Sequence, residues 1–298
     1  MEAVTPARAG SPLRIPWWAK LGGKLLLSRL PLPYRWWRRL GAFRHGDPAA
    51  DAESHIATYR GHLGNYRGLC GERLDTVVEI GPGDTVATAL IAAAHGAKRS
   101  WLIDIGHFAV ASAEHYRNVA ARLHALGLTP PEVTGGYAAE RVLAASGGHY
   151  LTGGLAAFTE LPAGSIDSIF SHAVLEHIRR AEFDTLMRES FRVLRPGGVA
   201  SHWVDLQDHL SGGLQSLRFA PALWEHPLFA GSGFYTNRLR HREICDKARA
   251  AGFVVSVPSQ VRWPSLPLSR DRLHPAFREF PDRELDIRAF TLVLQKPA

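Results

Sequence analysis

The stretch LDTVVEIGPGDT at residues 74–85, followed by an apolar segment and by WLIDIG at residues 101–106, decides the fold. Residues 77–80 are mainly β-branched, as expected of a buried parallel strand. The two glycines that follow permit a tight turn and a close approach by a ligand. An Ala-rich helix is predicted over 86–95 and a second strand over 101–105. This order, with an acidic residue at each strand end, indicates a nucleoside-binding crossover.

The acidic side chains around the turn indicate the chemistry of the ligand. A pyrophosphate fingerprint needs a third glycine where this chain has Val86, and Glu79 and Asp84 would repel a pyrophosphate. Together with Asp104, these carboxylates suit a ligand that has a ribose diol and a positive charge. S-adenosylmethionine has both features. Two alternatives remain at this point: a plain α/β crossover with solvated acids, and a nicotinamide-dependent oxidoreductase.

Further motifs follow the first one at natural spacings. They are EIGPGD at 79–84, LPAGSIDSIFSHAVLEHI at 161–178, FRVLRPGG at 191–198 and ARAAGFVV at 248–255. Pro196-Gly197-Gly198 is expected to end an amphipathic helix, and a strand is predicted after it, over 199–204. In this order, the motifs resemble those of the class I S-adenosylmethionine-dependent methyltransferases, over roughly residues 70–257. The whole pattern looks like that of bacterial members with uncharacterised substrates.

The resemblance implies an α/β, Rossmann-like, doubly wound fold. Its seven-stranded sheet would be mostly parallel with an antiparallel last strand, and a basic N-terminal helical segment would precede it. We expect that segment at 1–46, and the methyltransferase domain at 47–298 with an acceptor-side insertion at about 205–240. Helices are predicted over 53–63 and 108–126. The aromatic residues of the insertion are expected to form the acceptor pocket.

The resemblance also places the cofactor. In this family the glycine loop passes beneath the methionine part, and the acid after the second strand binds the ribose hydroxyls. The corresponding residues here are Glu79, Gly81, Gly83 and Asp104. A helix N-cap is the alternative role for Asp104. Many members hold the adenine amine with an Asp that this chain lacks, so we expect apolar contacts around Leu155 instead.

The catalytic candidates follow the fourth and fifth predicted strands, at the edge where such sheets bind ligands. Ser171 is expected at the cofactor, and His172 at the sulfonium or the acceptor. Transfer to an alcohol or phenol needs a proton acceptor, and a His oriented by an Asp suits this near neutral pH. His209 with Asp205 is therefore the first candidate for the base, and His172 the second. The alternative for each His is a packing or surface role.

Neighbouring motifs leave other roles open. Glu176-His177 resembles the Leu-Glu-His element of the superfamily. Ubiquinone-pathway O-methyltransferases bind a metal with a related element, but Ala173 replaces its first Glu here. We therefore expect a structural role and no metal. Asn237 and Arg238 either bind a polar acceptor or brace their loop. O-methylation of a small-molecule, lipid- or sugar-linked acceptor is favoured over N- or C-methylation.

The N-terminal segment carries the basic character of the chain. Residues 1–45 contain nine Lys or Arg and one acid, Glu2, so they contribute +8 to a net charge of +7. Since the rest is nearly neutral, we expect no nucleic-acid partner. The segment also holds four of the eight Trp residues, at 17, 18, 36 and 37. Such a segment either lies on an anionic membrane surface or packs as a cap on the domain.

The cysteine content and the distribution of apolar residues indicate where the protein functions. Cys70 and Cys245 fit no disulfide framework or metal pattern, which agrees with a reducing, cytoplasmic location. The sequence has no run of about 18 apolar residues, so we expect no transmembrane helix. A non-catalytic, membrane-associated binding protein on the same fold is the alternative to an enzyme.

Overall fold

The computed structural model describes residues 16–27, 52–109 and 111–298, which build an α/β fold on one seven-stranded sheet. The strands are β1 (Thr76–Ile80), β2 (Arg99–Ile103), β3 (Gly148–Leu151), β4 (Ile166–His172), β5 (Leu194–Asp205), β6 (Val254–Arg262) and β7 (Ile287–Gln295). They lie in the order β3-β2-β1-β4-β5-β7-β6. β7 is antiparallel to β5 and β6, and the remaining pairs are parallel. This confirms the predicted fold class.

Helices cover both faces of the sheet. They are α1 (Trp17–Leu27), α2 (Ala52–Cys70), α3 (Ala87–Ala94), α4 (Ala113–Ala125), α5 (Ala139–Ala145), α6 (Phe183–Val193), α7 (Pro221–Trp224), α8 (Pro227–Ala230), α9 (His241–Ala250), α10 (Pro275–Arg278) and α11 (Asp282–Leu285). Successive strand residues point to opposite faces. Val77 therefore packs in the core beneath α2, α3 and α4, and Val78 in the core beneath α6 and α9.

Two helices differ from the sequence prediction. α2, predicted over 53–63, continues for about two more turns because Tyr66 is fully buried there. α4 starts at Ala113, five residues later than predicted. The hydroxyl of Ser112 accepts a hydrogen bond from the N–H of His115 (3.2 Å) and caps the helix at that point.

β5 also differs from the prediction, which began the strand at residue 199. The strand begins at Leu194 and includes Pro196-Gly197-Gly198, because α6 has already ended before this sequence. The pairing with β4 changes register between Ile166 and Ser168, where the extra residues of β5 are accommodated. Gly197 adopts a φ of +73° in this irregular part of the strand.

The aromatic residues of the insertion form a satellite core, which corrects the prediction that they line an acceptor pocket. Trp224 and Phe234 are fully buried, and the Trp224 indole N–H donates to the carbonyl of Thr236 (2.7 Å). α1 packs on this core through Trp17, whose ring meets that of Phe219 edge-on at 6.1 Å. The aromatic rings of the insertion therefore pack against one another and against α1.

The strap Asn237–Arg240 ties the insertion to the domain. The Asn237 side chain donates to the carbonyls of Leu175 (2.8 Å) and Ile178 (2.9 Å). Arg238 has a φ of +59°, and its buried guanidinium donates to the carbonyls of Ser216 and Phe219. Of the two roles considered for Asn237 and Arg238, these contacts favour bracing the loop.

No helix in the described part of the chain is both long and apolar enough to span a bilayer. The predicted division between an N-terminal segment and the domain falls within residues 28–51, which lie outside the described residues.

Candidate active site

The candidate site lies where the parallel strands β1, β2, β4 and β5 end at one edge of the sheet. The turn after β1 requires its glycines. Gly81 and Gly83 have φ values of +73° and +67°, and a Cβ on Gly81 would stand 2.5 Å from Cγ2 of Val174. The Gly81 N–H also donates to the carbonyl of Ile103 (2.8 Å). The turn is thus held between β2 and the segment that follows β4.

Asp104 lies directly after β2 and fastens the neighbouring loops. Its carboxylate accepts hydrogen bonds from the backbone N–H of Gly83 (3.1 Å) and of Ile105 (2.7 Å). Its carbonyl accepts from the N–H of Gly154 (2.8 Å). Asp104 does not cap a helix, because the next helix begins at Ala113. The alternative role considered for Asp104 is therefore wrong.

An apolar surface adjoins Asp104. Ile105 directly follows Asp104, and its side chain is 74% exposed. The half-buried Leu155 lies in the 3₁₀ helix Gly154–Glu160, whose first residue approaches Ile105. The sequence analysis named Leu155 but not Ile105, although an apolar residue directly after the strand-ending acid was a visible signal.

Glu79 faces this edge from β1 with one enclosed oxygen. Its Oε2 has no hydrogen-bond partner among the described residues. Burial raises the pKa of Glu79 from its ordinary 4.5 to about 7, a hydrogen bond from Thr88 opposes the shift, and the Asp104 carboxylate adds to it. An enclosed carboxylate of this kind is suited to a cationic group, which would restore its ionised form.

Ser171 and His172 are the last two residues of β4 and point in opposite directions. Ser171 is inaccessible to solvent, and its hydroxyl is bonded to Nδ1 of His202 (2.8 Å). His172 keeps exposed surface and stacks on Trp203, with ring centroids 6.1 Å apart. Desolvation by the surrounding protein lowers the pKa of His172, and Asp205 opposes this shift. A cofactor contact by Ser171 stays a prediction.

His209 is paired with another imidazole. Its Nε2 lies 3.1 Å from Nε2 of His177, and the two rings are parallel to within 4°. Nδ1 of His177 is hydrogen-bonded to the carbonyl of Tyr235 (3.0 Å). The carboxylate of Asp205, the expected partner of His209, accepts hydrogen bonds from the backbone N–H and the side-chain amide of Gln207. The sequence analysis did not predict the pair of histidines.

Glu176 lies inside the protein next to this pair. It is buried, and burial raises its pKa well above the ordinary value, with Asp205 adding to the shift. Burial thus disfavours the ionised form of this carboxyl, and its structural role stays a prediction. Among the described residues there is no group of three His, Cys, Asp or Glu side chains that could hold a metal ion.

Comparison with known proteins supports the resemblance found in the sequence. Residues 78–201 match the model of a family described as a methyltransferase domain. A search of curated proteins found no match. With the sheet order given above, this match supports a methyltransferase of class I that uses S-adenosylmethionine as its cofactor.

Several solved structures are distantly similar. The 1,6-didemethyltoxoflavin N1-methyltransferase of Burkholderia thailandensis is 17% identical, with 97% of this chain and 94% of that chain covered and a TM-score of 0.45. A methyltransferase from Archaeoglobus fulgidus is 12% identical, with 83% and 95% covered and a TM-score of 0.45. An O-methyltransferase family protein from B. thailandensis is 15% identical, with 93% and 72% covered and a TM-score of 0.43. These likenesses do not identify the acceptor.

The residues at the sheet edge fit this cofactor. The enclosed oxygen of Glu79 suits its positive charge, the carboxylate of Asp104 suits a ribose diol, and Ile105 offers an apolar surface for adenine. The tight Gly81 turn leaves room for backbone contact only.

Glu79→Gln should stabilise the protein without ligand at pH 8 but not at pH 4. Because the folded pKa is raised, the native state holds the proton more tightly than the unfolded state, so the stability of the native protein falls as pH rises from about 4.5 to 7. Gln removes this penalty, which is roughly 3 kcal/mol for a shift of this size. Urea unfolding at both pH values measures it, with the exposed Glu132→Gln as control. An equal effect of Glu79→Gln at pH 4 and pH 8 would contradict the assignment.

Proposed function

We propose that this methyltransferase is an O-methyltransferase that acts on a small-molecule, lipid- or sugar-linked hydroxyl acceptor. The observation that carries this proposal is the His209–His177 pair at the ligand edge of the sheet. A neutral imidazole can accept the proton that a hydroxyl loses as its oxygen is methylated. S-adenosylmethionine, when bound, supplies a methyl group on a positively charged sulfur that leaves as a neutral thioether.

In this proposal the chain's own residues divide the work of binding. Asp104 accepts hydrogen bonds from the two ribose hydroxyls, and Glu79 attracts the cationic methionine end. Ile105 and Leu155 hold the adenine ring by apolar contact. Glycines 81 and 83 bring backbone close to the methionine part. The Asp104 carboxylate is already fixed by the N–H groups of Gly83 and Ile105, so little side-chain entropy is lost on binding.

Asp104→Ala should weaken cofactor binding by about 10- to 150-fold, or 1.5–3 kcal/mol, the range for hydrogen bonds to a charged group. Calorimetry with S-adenosylhomocysteine measures the dissociation constant, and circular dichroism checks the fold. Because Asp104 also holds two backbone N–H groups, Asp104→Asn serves as a second variant that keeps one acceptor oxygen. An unchanged dissociation constant in a folded Asp104→Ala variant would sink the assignment.

His209 is the proposed general base, and His172 is the second candidate. His209→Ala should lower turnover by about 10²–10⁴-fold while cofactor affinity stays the same. The assay first uses labelled cofactor with lipid, glycan and metabolite fractions to find the acceptor, then compares variants on it. His124→Ala, on the exposed surface of α4, is the matched control. A loss of only a few-fold in His209→Ala would indicate catalysis by positioning alone.

The alternative is a non-catalytic binding protein on the same fold. It predicts no methyl transfer to any fraction even where S-adenosylhomocysteine binds. The enclosed Glu79 oxygen supports a cationic ligand in either case, so detection of methyl transfer to a fraction decides between the two proposals.

We also propose that α1 contacts anionic membranes. One side of the helix packs on the satellite core through Trp17, Leu21 and Leu25. The adjoining side leaves Trp18 63% exposed and Leu26 69% exposed. Trp at headgroup depth, an aliphatic side chain and a basic surrounding sequence are the usual elements of an interfacial helix. The packed side supports the cap role, so α1 would serve both.

The full-length protein should co-sediment with vesicles that contain an anionic phospholipid at low salt and less so at high salt, because exposed charges are screened. The double variant Trp18→Ser with Leu26→Ser should bind several-fold less. Leu69→Ser, which removes an exposed leucine of α2, is the control and should bind normally. If the wild-type protein does not co-sediment with such vesicles at low salt, the membrane proposal is wrong and α1 acts only as a cap on the domain.

A further inference from the structure

Two aromatic side chains lie together where β4 and β5 approach the ligand edge of the sheet. His172, the last residue of β4, is paired in register with Trp203 of β5. Their rings are parallel to within 14°, with centroids 6.1 Å apart. Parallel rings in full overlap would lie about 3.5–4.0 Å apart, so these two rings overlap little.

The His172–Trp203 pair lies in a cleft. The side chain of His172 is exposed, yet desolvation by the surrounding protein lowers its pKa, with Asp205 opposing the shift. A side chain that is both accessible and desolvated lies on a concave part of the surface. Trp203 is half-buried beside it. Because the lowered pKa keeps the imidazole neutral near neutral pH, another ring can cover it without the cost of burying a charge.

The protein holds this pair from the side of α2. His62 of α2 meets the ring of His172 edge-on, with centroids 5.8 Å apart. Nδ1 of His62 is hydrogen-bonded to the hydroxyl of Ser201 (2.8 Å), and the side-chain amide of Asn65 donates to the same hydroxyl (2.9 Å). Since these buried contacts already fix the ring behind His172, little conformational freedom remains to be lost when a ligand binds.

An acceptor on this pair would lie beside the proposed cofactor. Glu79 of β1 is paired with Phe170 of β4, and His172 lies two residues further along β4. One strand sideways and two residues along correspond to about 8 Å between Cα atoms at the usual spacings of a sheet. β4 and β5 follow β1 on the side away from β2, which leads into Asp104. The pair is therefore close to the residue proposed for the cationic end of the cofactor and clear of the residue proposed for the ribose.

We propose that the acceptor is a phenol whose planar ring stacks on the His172–Trp203 pair. This inference rests on the proposed function and narrows its acceptor from any hydroxyl compound to an aromatic one. Aromatic rings prefer offset parallel or edge-to-face contacts with one another, and these contacts contribute beyond the apolar area that they bury. A planar ring gains this contribution on the pair, whereas a saturated ring gains only the burial of its apolar area.

Methyl transfer to a phenol also suits an imidazole base. A phenol hydroxyl has a pKa of about 10, as in a Tyr side chain, so it ionises more readily than an aliphatic hydroxyl and needs a weaker base. The phenol oxygen forms its bond to the methyl carbon as the carbon–sulfur bond breaks, and the sulfur keeps that electron pair. The hydroxyl proton passes to the histidine base of the proposed function.

Binding of two matched probes tests the proposal on the full-length protein saturated with S-adenosylhomocysteine. The probes are 2-naphthol and decahydro-2-naphthol, which share a carbon skeleton and a hydroxyl but differ in planarity. Ligand-detected NMR measures both dissociation constants. We expect 2-naphthol to bind at least about threefold more tightly, and Trp203→Leu to weaken its binding by about 3- to 10-fold, the usual size of aromatic ring contacts. Equal dissociation constants of the two probes in the wild-type protein would overturn the proposal.

A second Trp–His pair in the chain supplies the matched control. Trp101 of β2 is paired in register with His149 of β3, and their rings are parallel to within 20° with centroids 5.7 Å apart. Trp101→Leu should leave the affinity for 2-naphthol unchanged, because β2 and β3 lie on the other side of β1. Trp203→Phe keeps an aromatic ring and should weaken binding less than Trp203→Leu. Circular dichroism checks the fold of each variant. An equal loss in Trp101→Leu and Trp203→Leu, or no loss in a folded Trp203→Leu, would overturn the proposal.

The product of the labelled-cofactor assay separates failure of this inference from failure of the proposed function. Mass spectrometry should identify an aryl methyl ether, and Trp203→Leu should raise KM for that acceptor by about 3- to 10-fold with kcat nearly unchanged. A methyl ether on an aliphatic or sugar hydroxyl would overturn this inference alone. A methyl group on nitrogen or carbon would overturn the proposed function, and the inference with it.

Discussion

The carboxylate of Asp104 is the constraint on which the cofactor end depends. Two of its hydrogen bonds go to backbone N–H groups, one in the glycine turn after β1 and one directly after β2. The carbonyl of the same residue accepts a hydrogen bond from the N–H of Gly154, at the start of the 3₁₀ helix that carries Leu155. One acid therefore sets the relative position of three loops that come from three parts of the sequence. Its charge is stabilised by these backbone N–H groups, because hydrogen bonds to a carboxylate favour its ionised form.

In contrast to Asp104, Glu79 lies in surroundings that disfavour its ionised form. Burial raises its pKa to about 7, so this carboxyl ionises less readily than an exposed glutamate. A bound cation would return it to the ionised form. Stability is thus lower in the ligand-free protein at neutral pH than a Gln at this position would give, and binding recovers the difference. Residues that lower the folding stability in this way are typical of functional sites, where a residue is kept for its function at a cost in stability.

The sequence predicted the elements whose patterns are local. The β-branched run before Gly81 and the acid after β2 predicted the crossover, because strand, turn and helix each have a short-range signal. Where tertiary contacts decide, prediction failed. The Pro196-Gly197-Gly198 sequence signals a stop but lies within β5, since pairing with β4 and β7 outweighs it. The aromatic insertion looked like a pocket because composition does not show which rings pack on one another.

The hydrogen-bond partner of the candidate base, His209, could not be predicted from the sequence either. Asp205 was chosen as the partner of His209 because the two are four residues apart in sequence, whereas His177 lies 32 residues earlier. The pair forms only because the turn after β4 and the loop after β5 meet at one edge of the sheet, with Asn237 fastening the strap across them. Two imidazoles can therefore share a hydrogen bond at this edge although neither is close to the other in sequence, and no spacing within a single motif signals such a contact.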